Sequence, residues 1–214
     1  MMESRRIHRT DGSYEPPITV QGDGDIRIYG DEGPWWGFGR VTGITVGQAR
    51  VLLERLTCFG LTLEGAYLST VRDVLCTDLR IGGDTPPDEW ASALTLDGLH
   101  VHGHNNGGSV VIHNAANIVW TGGSIERCMG PLVIGSGDNE GTIILVGTRI
   151  EHDHIPTLRI KGKSPVLMVG CHFTATDVEF APDAHPESKL IGCSHTVSQV
   201  RDLRPRRPWW RVWR

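Results

Sequence analysis

A chain of 214 residues with 39% hydrophobic content is long enough for one domain with a sizeable core, and its 27 glycines and 7% aromatics suit a thin, turn-rich β structure better than a helical bundle. No apolar run approaches the ~20 residues of a membrane-spanning helix, and the polar, basic start from Met1 to Arg9 lacks the apolar stretch of a secretory signal. The formal charge of −4 is unevenly placed: residues 201–214 hold six Arg and one Asp, a net of +5, which leaves −9 on the body and argues against a nucleic-acid-binding surface over the whole domain.

Residues 1–17, with Arg5, Arg6, Arg9, Pro16 and Pro17 and no periodicity, read as an N-terminal arm. From Ile18 to residue 199, short alternating apolar runs are broken by Gly, Asp, Asn and Pro, which is strand chemistry. The best helix candidate is Gln48–Arg55, whose Val51 and Leu53 fit a strand register equally well. One phrase recurs through this region: a small residue, a spacer, an outward polar residue, then a large apolar one. Its anchors are Asp25, Gly43, Gly60, Asp78, Gly98, Gly122, Gly147, Gly170 and Gly192, spaced by 18, 17, 18, 20, 24, 25, 23 and 22 residues. A repeat of about 20 residues is too thin to bury its own apolar side and must stack on its neighbours, so the chain is expected to be a solenoid. Between anchors lie two further apolar runs per turn, for example Val110-Val111-Ile112 matched by Leu132-Val133-Ile134, and Ile118 with Trp120 matched by Ile143 with Leu145. Three strands per turn predict an all-β, single-stranded parallel β-helix of about eight coils with an exposed loop over Gly82–Trp90.

Five cysteines form neither a disulfide nor a zinc framework. Cys58 with Cys76, and Cys171 with Cys193, hold equivalent inward positions on successive coils and are expected as stacked, free core thiols. Residues 200–214 form an Arg- and Trp-rich tail, with Trp209, Trp210 and Trp213 suited to capping the last coil or contacting a partner subunit.

The anchor repeats from Asp25 to Gly192, about four fifths of the chain, resemble the right-handed parallel β-helix, or pectate-lyase-like, superfamily, which includes polysaccharide lyases, polygalacturonases and phage tailspikes. The resemblance implies a long glycan-binding groove along one face. Arg159-Ile160-Lys161 is similar to the polygalacturonase Arg-Ile-Lys motif, but Asn139 follows Asp138 where that family has paired aspartates, and its Asn-Thr-Asp motif is absent. Arg206-Arg207-Pro208-Trp209-Trp210-Arg211 matches a pectate-lyase pattern inside a compositionally biased tail. Neither motif assigns pectinolysis.

In this register the outward column reads Arg27, Thr45, Thr62, Arg80, His100, Ser124, Arg149, His172 and Ser194, beside a second column through His102, Glu126, Glu151 and Thr174. Functional groups therefore gather on one face: His100, His102, Glu126, Arg149 and Glu151, with His104, Asp153 and His154 in adjoining turns. Glu126 and Glu151 sit one strand spacing apart and are the candidate catalytic pair, since carboxyls ~5 Å apart give retaining-glycosidase geometry. The alternative is two solvated glutamates beside Arg149. His100, His102, Arg149, Asp153 and His172, with Trp35, Trp36 and Trp90, are the candidate glycan-binding residues. Alternate histidines on a strand can also ligate zinc, although exposed imidazoles equally decorate a sugar groove, and no cofactor or metal is assigned.

Three readings follow. The first is a structural, polysaccharide-binding β-helix of a phage tail or other surface-attachment apparatus, located on a virion or outside the cell and assembled as a homo-oligomer, expected to be a trimer. The second is a polysaccharide hydrolase or lyase using the groove carboxylates. The third is a non-catalytic, wall-associated repeat protein.

Overall fold

The computed structural model describes residues 5–9, 14–22, 25–32, 38–83, 90–103, 107–154 and 156–205. Among these there is no helix, and all 21 strands pair in parallel to form a β-solenoid of about eight turns. From Ser92 onward each turn has three separate strands, as in Ser92–Asp97, His100–His102 and Ser109–His113. These define a first, a second and a third face. Each strand lies on its counterpart one turn later, so that Leu96 meets Trp120, Val101 meets Ile125 and Val110 meets Leu132. The apolar runs Val110–Ile112, Leu132–Ile134, Leu158–Ile160 and Val178–Phe180 stack in the expected register on the third face. Earlier turns are leaner, and Arg50–Leu63 and Thr70–Ile81 run as continuous strands through all three faces. From Arg50 onward the segment considered for a helix is therefore strand, because its inward residues Val51 and Leu53 are held by Ile26 and Ile28 beneath them.

Inside the solenoid, side chains of like position form columns. On the second face the column runs Val41, Cys58, Cys76, Val101, Ile125, Ile150 and Phe173, all buried. Each such rung buries a side chain worth about 1.5–3 kcal/mol only because the next turn covers it, which makes the turns mutually dependent. Cys58 does stack on Cys76, and all five thiols are free. Burial pushes the Cys58 thiol up to about 12, Cys128 and Cys171 to about 11, and Cys76 well above its ordinary value.

The corner between first and second faces explains the anchor glycines. Gly98, Gly122, Gly147, Gly170 and Gly192 all adopt left-handed backbone, with φ between 61° and 64°. In the leaner turns Arg55 (φ 53°) and Asp73 (φ 51°) hold the same corner. The outward column expected from the sequence is here corrected. Arg27 stacks on Leu52 on the first face, and Thr45, Thr62 and Arg80 stack with Val111 on the third, whereas His100 lies over Leu75 and Thr57 on the second. The steps from Asp25 to Gly43 and from Asp78 to Gly98 are not full turns but moves from one face to another. The phrase recurs on all three faces because each needs an inward apolar residue flanking an outward polar one.

Residues 5–8, within the expected arm, instead pair with 26–29, and Ile7 packs on the core because it stacks on the inward Ile28. Val200–Asp202, within the expected tail, likewise pairs with Val178–Phe180 as a last third-face strand. Among the described residues the turn from Lys189 exposes Ile191, Val197, Val200 and Leu203, and its His195 stacks on Phe173 at 4.9 Å.

Candidate functional site

The site is built on the second face, where short strands carry polar groups outward from a covered apolar rung. In His100–His102, Val101 is fully buried and both imidazoles point out. One turn on, Ser124 lies over His100 and Glu126 over His102; a further turn brings Arg149 and Glu151, and the next His172 and Thr174. The histidine and glutamate groups singled out from the sequence thus share one face. Asp153 lies just past its corner and pairs with Arg127 at 3.2 Å. Arg149 binds Glu151 on its own strand, leaving Glu126 as the carboxylate nearer the histidines.

A cavity of about 330 Å³ opens over His100, His102, Ser124 and Glu126, and Phe38, Asp73, Val74, Leu75 and Gly98 also line it. Asp73 sits at the corner in the turn before Gly98, and its carboxylate lies so close that a Cβ at position 98 would meet Oδ1 at 2.9 Å. Gly98 therefore both turns the chain and leaves room for that carboxylate. Asp73, Phe38 and Leu75 were not foreseen as site residues. The signal for Asp73 was a polar residue able to take left-handed backbone, hidden inside the uninterrupted strand Thr70–Ile81.

No protein-family model, curated protein or solved structure matches this chain. Its assignment therefore rests on the parallel β-solenoid and on the chemistry of this face.

His100 donates or accepts through Nδ1 with Ser124 Oγ at 2.9 Å, which taken alone resembles a nucleophile pair. The same contact recurs between His113 and Ser136 at 2.9 Å, His172 and Ser194 at 2.6 Å, and His152 and Thr176 at 2.8 Å. Four copies on different faces and corners make it a rung between turns, in which an imidazole meets a hydroxyl one turn on. His152 is the buried example. Thr176 donates its hydroxyl proton to the Thr174 carbonyl at 3.1 Å, so Nδ1–H of His152 must be the donor to Thr176. That leaves Nε2 buried with no partner, and burial, reinforced by His154, pushes the imidazole down to about 4.

Among the described residues no three His, Cys, Asp or Glu side chains are gathered to hold a metal ion; His104 lies outside them. Trp35 and Trp36 are also outside the described residues. Trp90 is partly buried at the start of the first-face segment and does not line the cavity. Arg159 of the Arg-Ile-Lys segment is on the third face, paired with Glu179 at 3.1 Å, a face away from the histidines.

Proposed function

We propose that this chain is a rigid structural solenoid that binds polysaccharide along its second face, as a module of a phage tail or comparable surface-attachment apparatus. The observation that carries the reading is the cavity of about 330 Å³ over His100, His102 and Glu126, at the lower end of the ~300–1,000 Å³ typical of ligand pockets. It combines apolar wall from Phe38, Val74 and Leu75 with convergent polar groups, the mixture that holds a sugar ring by its C–H face and its hydroxyls. Fold alone does not supply this reading, since solenoids host many functions. A glycan array probed with the purified protein tests it: binding lost in Glu126→Gln and His102→Ala supports it, and no binding to any glycan removes it.

A second reading, hydrolysis, is favoured by the in-register stacking of Glu126 and Glu151. Release of reducing ends from a bound glycan, abolished in Glu126→Gln, distinguishes it from binding alone. Under the structural reading the exposed apolar residues Ile191, Val197, Val200 and Leu203 are a surface that the segment 206–214, which carries Trp209, Trp210 and Trp213 and lies outside the described residues, would cover. Removing 206–214 then leaves a protein that self-associates in sedimentation velocity; a deletion variant that stays monodisperse and equally stable rules this out.

A further inference from the structure

We infer that the second-face cavity takes an uncharged sugar unit and discriminates against a uronate; the inference rests on the glycan reading above. Two carboxylates, of Asp73 and Glu126, line the cavity, and no Lys or Arg does so among the described residues. The arginines next in sequence to Asp73 and Glu126, and the one stacked on Ser124, are already committed. Arg72 pairs with Glu54 at 3.2 Å and Asp97 at 3.6 Å, Arg127 with Asp153 at 3.2 Å, and Arg149 with Glu151. Asp73 and Glu126, by contrast, form no ion pair among the described residues.

Such a cavity has a definite preference. A carboxylate is acceptor-only and makes its strongest bonds to donors, and vicinal hydroxyls of a pyranose are donors that carry no charge to repel it. A uronate would bring a third negative charge beside Asp73 and Glu126, where among the described residues no Lys or Arg lines the cavity to meet it. The apolar wall serves the ring's C–H face in either case and does not distinguish the two, so the selection rests on charge.

The test uses the full chain, a panel of neutral oligosaccharides of gluco, manno and galacto configuration, and oligogalacturonate of the same length, with affinities measured by calorimetry. The expected result is that at least one neutral series binds tenfold or more tightly than oligogalacturonate. Asp73→Asn and Glu126→Gln should each weaken the neutral ligand about five- to tenfold and narrow the gap to the uronate. Asn tolerates the left-handed backbone at position 73, so Asp73→Asn should keep an unchanged unfolding curve, which separates loss of binding from loss of fold. Oligogalacturonate binding as tightly as, or more tightly than, every neutral series overturns this inference and leaves the glycan reading standing. No binding by either class removes the glycan reading, and this inference with it.

Discussion

Acidifying the solution from pH 7 to pH 4 should withdraw a definable part of this protein's stability through one side chain, His152. Its ring is 3% exposed, its Nδ1–H is held by Thr176, and its Nε2 faces no partner, so the charged form has neither water nor acceptor. The folded imidazole is pushed from its ordinary 6.5 to about 4, whereas the unfolded chain binds the proton at the ordinary value. Above pH 6.5 both states are neutral and the contribution is complete; as pH falls towards about 4 the unfolded state alone takes up the proton, and stability is lost. With about 1.4 kcal/mol per pKa unit, the full loss is about 3 kcal/mol, most of it between pH 6 and 4.5. Urea denaturation of the native protein and of His152→Gln across this range isolates the contribution, because carboxylates and the other histidines are common to both. The native curve should fall more steeply by that amount, and the His152 ring should show no titration near 6.5 by NMR. A His152 resonance titrating at its ordinary pH, or parallel stability curves for the two proteins, refutes the reasoning.

Neighbouring glycines offer a sharper geometric contrast. Gly122→Ala meets nothing within 4 Å and should cost only the left-handed strain of about 1–2 kcal/mol, whereas a Cβ at Gly123 would lie 2.0 Å from the Leu99 carbonyl oxygen of the preceding turn, so Gly123→Ala should cost more than about 3 kcal/mol or abolish folding; denaturant midpoints decide. Trp120 is fully buried with its indole N–H unpartnered, so Trp120→Phe should cost less than about 1.5 kcal/mol in thermal or urea unfolding, while Trp120→Ala should cost about 3–5. Of the five thiols, Cys193 is the one not fully covered and should react first with a neutral-pH thiol reagent, the other four only after denaturation; mass mapping of the modified residue checks this. Glu54, buried at 5% exposure between Arg27 (2.7 Å) and Arg72 (3.2 Å), should cost about 2–3 kcal/mol when changed to Ala, since two guanidinium groups lose their common partner.

Much of the architecture was legible because inward residues repeat with the turn. Val110–Ile112 over Leu132–Ile134, and Ile118 and Trp120 beneath Ile143 and Leu145, stack in the register that their spacing implies. The strands that follow Gly98, Gly122, Gly147 and Gly170 share one face, as their spacing implies, because each of these glycines marks the same left-handed corner. Upstream the phrase lost its meaning. Gly43 and Gly60 lie within continuous strands, without the left-handed backbone of the later anchors, so small residues with different jobs looked alike. Asp73 escaped notice for the converse reason: its corner is occupied by a non-glycine inside a strand of 12 residues, and only the fold brings its carboxylate over Gly98. A one-dimensional period reports that turns stack but not which face a given residue has reached, and the cavity depends on the latter.

The passage from the lean turns to the longer ones has a consequence for how such a molecule can change. Ile44, Leu61 and Leu79 follow one another at 17 and 18 residues, yet Val110 takes the next place on that column after 31, and the alignment resumes without a slip. Asn114, anchored to the Gly83 carbonyl at 3.0 Å, ties this corner to the same corner one turn on. Length has been added at two corners, since Val71 follows Leu63 by 8 residues whereas Leu96 follows Ile81 by 15, and Asp78 follows Cys76 by 2 whereas Ser109 follows Val101 by 8, as bay windows are added to a wall whose courses of brick continue undisturbed. Sequence can therefore be lengthened, shortened or exchanged between Gly83 and Trp90 while His100, Ser124 and Glu126 keep their places, which leaves one part of the molecule free to vary and the other free to stay constant.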